Sequence, residues 1–167
     1  MMEALVRASA RDAEEIYALY RAAAAHGRAR GSSDWDDDYP AMENILSDLE
    51  ARGLFILRRE GRIVAAISAV PPVDLEELEE YAVPWTPARA VELCRFCVSP
   101  EAQGTGLAKR VFLSILEILR AEGIEAVRYL CAKANPAAYR LYTSLGHRQL
   151  GEVRHWETDF YCFEQVL

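Results

Sequence analysis

The spacing of apolar residues changes along the chain, and each change marks a predicted element. A short apolar run predicts a strand at 3–8. From 13 to 27, apolar residues recur every three or four positions, which is the period of a helix that packs on one face. Ser9, followed three residues later by Asp12, is typical of a capping box at such a helix start. The polar segment 28–39, which contains an acidic run, predicts a loop.

A second helix and a hairpin are predicted next. Pro40 suits the first turn of a helix that carries apolar residues at helical spacing, and Gly53 is expected just after its end. Two apolar runs, 54–57 and 63–67, flank a Glu-Gly pair that is typical of a tight turn between antiparallel strands. The acidic segment 73–87 then predicts a long connection, and long connections inside a compact domain are often functional.

The second half of the chain predicts a strand, a glycine turn and a long helix, then three more strands around a short helix. The long helix begins near 107, and the short one is expected at 136–145. The strands are predicted at 90–98, 125–132, 147–153 and 158–166. The order is mixed α/β, with seven strands and about four helices, and no repeat or linker divides residues 1–167 into more than one predicted domain.

Charge and composition exclude several classes of partner. Nineteen basic and 26 acidic residues give a net charge of −7, which argues against nucleic acid or an anionic membrane surface as partners. No apolar run reaches the length of a membrane span, and the start lacks the pattern of a signal peptide, so a cytoplasmic protein is predicted. The cysteines fall in strand-like segments without a zinc spacing, which predicts reduced thiols and no metal site; they are Cys94, Cys97, Cys131 and Cys162.

The glycine turn between 98 and 107 carries the strongest chemical signal. Gly104 and Gly106 remove side chains where a loop enters a helix, so backbone N–H groups can converge on an anion at the positive end of the helix dipole. The alternative is a glycine turn that merely tightens the connection. Neither the dinucleotide-binding fingerprint nor the P-loop fits this spacing.

Two motifs resemble those of the GNAT acetyltransferase superfamily. Gln103, Gly106 and Ala108 match its Q/R-x-x-G-x-G/A motif, and segment 135–147 is similar to its N-x-x-A-x-x-x-Y-x-x-x-G-F pattern. Only His147, where the family usually has Phe, departs from the second pattern. The resemblance spans about residues 90–155.

The resemblance implies a fold and a co-substrate. The family fold is a mixed, mostly antiparallel seven-stranded sheet whose fourth and fifth strands splay apart in a V and admit the pantetheine arm of acetyl-CoA like an extra strand. Pantetheine is then expected at the backbone of Phe96, Cys97 and Val98, next to Asn135 and Tyr142. The pyrophosphate is expected at the backbone amides of Gln103, Gly104, Thr105, Gly106, Leu107 and Ala108.

The resemblance also implies two catalytic groups. Tyr142 lies at the position whose phenol gives a proton to the departing thiolate, and the alternative is a plain aromatic core residue. Glu92 lies where many members place a carboxylate that draws a proton from the amine, often through water; the alternative is a charge at a strand edge.

The expected function is transfer of an acetyl group from acetyl-CoA to a primary amine of a small molecule or peptide. A catalytically silent acyl-CoA-binding or sensing module is the alternative, and it would not need Tyr142. The loops 28–39 and 73–87 correspond to the substrate side, so Trp35 or Tyr39 is expected to touch the acceptor. Their acidic residues favour a cationic acceptor, although such charges are also common on solvated surfaces. The sequence does not decide between a monomer and a homodimer.

Overall fold

The computed structural model of the protein describes residues 3–32, 34–72, 83–155 and 157–167. The strands are β1 (Leu5–Arg7), β2 (Leu54–Arg59), β3 (Arg62–Val70), β4 (Ala90–Val98), β5 (Ala126–Ala132), β6 (Arg148–His155) and β7 (Thr158–Val166). The helices are α1 (Ala13–Ala29), α2 (Met42–Glu50), α3 (Leu107–Ala121) and α4 (Pro136–Ser144). In the described part of the chain there is no helix with the length and apolar character needed to cross a membrane.

One sheet contains all seven strands, in the order β1-β2-β3-β4-β5-β7-β6. Every neighbouring pair is antiparallel except β4 and β5, which pair in parallel only where Ala90–Glu92 faces Ala126–Arg128. Beyond these positions β4 stays with β3 and β5 stays with β7, so the two strands separate. The predicted mixed sheet with a V between its fourth and fifth strands is therefore confirmed.

The sheet is covered by helices on both faces because the strands alternate their side chains. On β2, Phe55 and Leu57 pack into the core beneath α3, whereas Leu54 and Ile56 pack beneath α1 and α2. The apolar face of α3 is fully buried in the first of these cores through Val111, Phe112, Ile115 and Leu119. The layers are thus helix, sheet and helix, with the splayed strands at the centre.

Local geometry explains the hairpin and corrects two helix ends. Glu60 and Gly61 adopt left-handed φ values of 51° and 78°, as a two-residue hairpin turn requires. α1 continues through Gly27 to Ala29, since one glycine in a well-packed helix costs only about 1 kcal/mol. Pro40 lies outside α2, which is capped instead by Ala41.

Candidate active site

A cavity of about 780 Å³ fills the V between the splayed strands. One wall is β4 from Leu93 to Val98, and the other is β5 from Leu130 to Ala132. The glycine turn before α3, the start of α4 and the loop after α1 close the remaining sides. The cavity therefore joins residues from both halves of the chain.

Both strands present unpaired backbone to this cavity. The β4–β5 ladder stops at Glu92 and Arg128, while the outer edges of the two strands continue their pairing with β3 and β7. The facing edges of β4 and β5 beyond that point carry N–H and C=O groups that can pair with an extended ligand. Of the predicted pantetheine contacts, Phe96, Cys97 and Val98 lie on this wall.

A bulge interrupts β4 at Arg95. Ala66 pairs with Cys97 and Ser68 pairs with Cys94, so Ile67 alone faces two residues of β4. Arg95 has a φ of 47°, a left-handed backbone that costs a non-glycine residue about 1–2 kcal/mol.

An ion pair with a residue of α2 holds the side chain of Arg95. Its Nε and Nη2 each donate a 2.7 Å hydrogen bond to the carboxylate of Asp48, and its Nη1 donates to the Tyr39 hydroxyl. The expected substrate residue Tyr39 is thus engaged with Arg95 and is not among the residues that line the cavity, whereas Trp35 does line it.

The glycine turn is open toward the cavity. Gly104 and Gly106 have φ values of 78° and 82°, and a Cβ added to either would meet no atom within 4 Å. Gly106 caps α3, whose first N–H groups have no partner inside the helix. The turn can therefore present backbone donors to an anion.

The other residues of this turn divide into two groups. Gln103, Gly104, Gly106 and Ala108 line the cavity, and the Gln103 side chain also donates to the Val98 carbonyl. Thr105 and Leu107 are not among the lining residues: the Thr105 hydroxyl donates back to the Ala102 carbonyl, and the Leu107 side chain is buried in the core.

Tyr142 reaches the cavity from α4 with its ring fixed in an aromatic cluster. Its ring centroid lies 4.5 Å from that of Tyr129, 5.3 Å from that of Phe112 and 5.6 Å from that of Phe163. Burial raises the pKa of the Tyr142 phenol, and the nearby Cys131 and Asp34 raise it further. The phenol therefore stays protonated at neutral pH and can donate a hydrogen bond.

His147 takes part in the same cluster. Its ring packs on Phe112 and Tyr129, and its Nδ1 shares a hydrogen bond with the Tyr129 hydroxyl. Burial lowers the pKa of His147. The histidine thus fills an aromatic position and adds a polar contact that phenylalanine could not make.

Asn135 connects α4 to the loop after α1. Its Oδ1 accepts a 3.1 Å hydrogen bond from the Ala138 N–H and caps α4, while its Nδ2 donates a 3.1 Å hydrogen bond to Asp34 Oδ2. Both residues line the cavity. Asp34 was not predicted as a site residue, because in the sequence it is one of several acids in a polar loop; no local signal distinguishes it.

Glu92 lies on β4 at the end of the parallel ladder, opposite Arg128, and it is not among the lining residues of the cavity. Burial raises the pKa of the neighbouring Cys94 thiol to about 12, and the charge of Glu92 contributes to that rise. The acidic connection 73–87 also contains two aromatic residues, Tyr81 and Trp85, of which Tyr81 lies outside the described residues. Trp85 packs on Arg128 instead of lining the cavity, with the guanidinium carbon 5.5 Å from its ring centroid.

Metal ligands do not cluster in the described ranges of the chain, where no group of three or more His, Cys, Asp or Glu residues could hold an ion.

Comparison of the sequence identifies related proteins. A profile of the Acetyltransferase (GNAT) family matches residues 13–147. The mycothiol acetyltransferase of Frankia alni is 32% identical over 136 residues, which are 81% of this chain but only 39% of that protein. The chain thus spans less than half the length of this relative.

Solved structures share the fold over the whole chain. A GNAT family acetyltransferase from Streptococcus agalactiae has a TM-score of 0.84 at 17% identity, covering 99% of this chain and 95% of the other. The yncA protein of Salmonella typhimurium, solved with its cofactor acetyl-CoA, has a TM-score of 0.72 at 19% identity, covering 100% and 95%. At these identities the similarity establishes the fold.

Proposed function

Because the chain belongs to the GNAT acetyltransferase family, we propose that it transfers an acetyl group from acetyl-CoA to a primary amine of a small molecule or peptide. The observation that carries the proposal is the union of two features in one cavity. The unpaired edges of β4 and β5 suit an extended chain with amide groups, and the open glycine turn suits a pyrophosphate. Pantetheine and pyrophosphate are the corresponding parts of acetyl-CoA.

In this proposal the backbone of Phe96, Cys97 and Val98 binds the pantetheine amides, and the amides from Gln103 to Ala108 bind the pyrophosphate. The turn fits an anion because both glycines face open space, where any side chain would occupy the approach to the backbone. Thr105 and Leu107 contribute backbone N–H groups only, in keeping with side chains that point elsewhere. Asn135 contributes to the wall of the cavity along which the pantetheine is proposed to lie.

Tyr142 is proposed as the proton donor. Acetyl-CoA, when bound, supplies a thioester whose sulfur leaves as a thiolate. The Tyr142 phenol lines the cavity, is fixed by its aromatic neighbours and has a raised pKa, so it carries its proton at neutral pH. A neutral phenol can donate to the sulfur and stabilise the charge that develops there. A catalytically silent binding module would need the cavity, but it would not explain why the Tyr142 phenol lies there.

Glu92 is proposed as the proton acceptor for the attacking amine. Its position at the point where β4 and β5 separate, beside Cys94 of the cavity wall, supports a route through an intervening water. Direct contact is not required for such a step, since a water can carry the proton from the amine to the carboxylate.

The acceptor is proposed to be a small molecule or peptide that is bound through the loop after α1. The name of the relative from Frankia alni, mycothiol acetyltransferase, refers to a small molecule, and Trp35 of this loop lines the cavity.

A cytoplasmic location is proposed as well. The four cysteines are free thiols, and such thiols stay reduced in the cytoplasm.

Release of the CoA thiol in the presence of a panel of primary amines, with mass spectrometry of the products, tests the proposal. Amine-dependent thiol release and an acetylated product are expected. Binding of acetyl-CoA without acetylation of any amine would instead favour the silent binding module.

A further inference from the structure

Asp34 places a carboxylate in the cavity that the two sequence motifs do not account for. It is half-buried and belongs to the loop after α1. Among the described residues that line the cavity it is the single acidic one, and the cationic side chains there are Arg30, Arg95 and Arg140. The negative charge in this cavity therefore comes from one side chain.

Asn135 fixes the orientation of this carboxylate. The Asn135 Oδ1 must accept the Ala138 N–H that caps α4, so its Nδ2 is directed away from the helix and donates to Asp34 Oδ2. The other oxygen, Oδ1 of Asp34, has no hydrogen-bond partner within the described part of the chain. One oxygen is thus anchored, and the other can accept a hydrogen bond from a ligand.

The carboxylate lies close to the groups at the reacting end of the cavity. Burial is the largest cause of the raised pKa of the Tyr142 phenol, and the nearby Cys131 and Asp34 raise it further. The pKa of the Cys131 thiol is raised to about 12 by burial and by Asp34. Asp34, Cys131 and Tyr142 all line the same cavity, and Asn135, which donates to Asp34, caps the helix that carries Tyr142. Asp34 therefore lies on the side of the cavity where α4 places the proposed proton donor.

We propose that Asp34 binds the ammonium group of a primary alkylamine acceptor, with Trp35 forming the adjoining wall. This inference rests on the proposed acetyltransferase function and names the class of acceptor that the cavity selects. The carboxylate accepts a charge-assisted hydrogen bond from the ammonium, and an indole beside it favours a cation. The step is binding only: no bond changes at Asp34, and the proton leaves the nitrogen afterwards, in the step assigned to Glu92.

A purely structural role for Asp34 makes a different prediction. If the Asp34–Asn135 hydrogen bond served only to hold the loop against α4, its loss would weaken all acceptors alike, whether charged or neutral. A loss of affinity that is larger for charged than for neutral acceptors therefore distinguishes ammonium binding from a structural role.

The experiment compares pairs of acceptors that share a shape and differ in charge at neutral pH. Benzylamine is protonated and 4-methylaniline is neutral, and the panel extends to other primary alkylamines and arylamines. KM and kcat are measured at saturating acetyl-CoA for the wild type, Asp34→Asn, Asp34→Glu and the control Asp38→Asn. The control removes the same charge from an exposed position of the same loop. Calorimetric titration of benzylamine into the protein saturated with CoA measures acceptor binding without turnover.

Asp34→Asn is expected to raise KM for alkylamines, and the dissociation constant of benzylamine, by about 10- to 100-fold, as expected for loss of a hydrogen bond to a charged group. In the same variant, KM for arylamines and the affinity for acetyl-CoA should change less than about threefold. Asp34→Glu should recover part of the lost alkylamine affinity, and Asp38→Asn should resemble the wild type. Equal effects of Asp34→Asn on both amine classes, or none on alkylamines, would overturn this inference while leaving the proposed function standing. If the wild type binds acetyl-CoA but acetylates no amine, the proposed function and this inference fail together.

Discussion

Asp48 of α2 and Arg95 of β4 form a bidentate ion pair, with both hydrogen bonds at 2.7 Å, and Arg95 belongs to the β4 wall of the cavity. The Ser68 hydroxyl also donates to Asp48 at 2.6 Å, and all three side chains are largely shielded from water. The pair joins α2 to the residue at which β4 bulges. Because Arg95 keeps a left-handed backbone there, its side-chain contacts help to maintain the shape of the wall.

Asp48→Asn is therefore expected to lower the free energy of unfolding by about 3 kcal/mol, since it leaves the Arg95 charge buried beside a neutral group. Urea unfolding measures the change. Asp159→Asn is the matched control, because it breaks an exposed ion pair with Arg154 and should cost less than about 1 kcal/mol. Equal small losses in both variants would show that the buried pair does not support the bulge.

The contact between Asp48 and Arg95 shows where prediction from the sequence ends. Periodicity located the strands and helices, and the glycine turn was recognisable because its residues are contiguous. The Asp48–Arg95 pair joins residues 47 positions apart, and Asp34 meets Asn135 across 101 positions. Such contacts depend on how the elements pack, which no local pattern encodes. Two helix ends also differ from the prediction. α1 continues through Gly27 because its packing outweighs the low helix propensity of glycine. α2 begins only after Ala41, whose N–H donates a 2.8 Å hydrogen bond to Asn44 Oδ1.

Gly106→Val is expected to weaken acetyl-CoA binding at least tenfold, because a branched side chain would project into the open approach to the backbone donors. Calorimetric titration with acetyl-CoA measures the effect. Gly61→Val is the control: Gly61 has a similar φ of 78° and equally open surroundings, but it lies in the β2–β3 hairpin. The control carries the same backbone strain and should bind acetyl-CoA normally. Unchanged binding by Gly106→Val would remove the glycine turn from the proposed site.

Tyr142→Phe is expected to reduce kcat by about 10²- to 10⁴-fold, while acetyl-CoA affinity stays nearly constant, because only the proton donor is lost. Tyr139→Phe provides the comparison on the same helix: its hydroxyl contacts Gln149, and the residue does not line the cavity. Steady-state rates at saturating substrates measure both variants. A full rate in Tyr142→Phe would mean that thiolate departure needs no protein acid or that product release limits turnover.

His147→Phe is expected to change how stability depends on pH. Burial lowers the pKa of His147 in the folded protein, whereas the unfolded chain titrates near 6.5. Below that pH the unfolded chain binds more protons, so the wild type loses stability as the pH falls toward the lower folded pKa. His147→Phe should lack this loss.

Urea midpoints at about pH 7.5 and about pH 5 measure the difference. Tyr129→Phe removes the hydrogen bond to His147 but keeps the imidazole, and it should retain the dependence on pH. If the wild type and His147→Phe lose the same stability over this interval, other groups are responsible.

Glu92→Gln is expected to depress the acetylation rate most at low pH and least at high pH. An alkylammonium acceptor with a pKa near that of lysine, about 10.4, has only about one nucleophilic molecule in a few thousand at neutral pH, so a carboxylate that collects the proton within the complex matters most there. As the pH approaches the pKa of the amine, solvent removes the proton and the carboxylate becomes dispensable. The ratio of wild-type to variant kcat should therefore fall as pH rises, measured by thiol release with a fixed alkylamine.

Glu101→Gln, which removes an exposed charge just after β4, should show no such trend. A wild-type to variant ratio that is the same at every pH would exclude Glu92 as the base, and Asp34, which already contacts the acceptor in our proposal, would then be the carboxylate to test for that role.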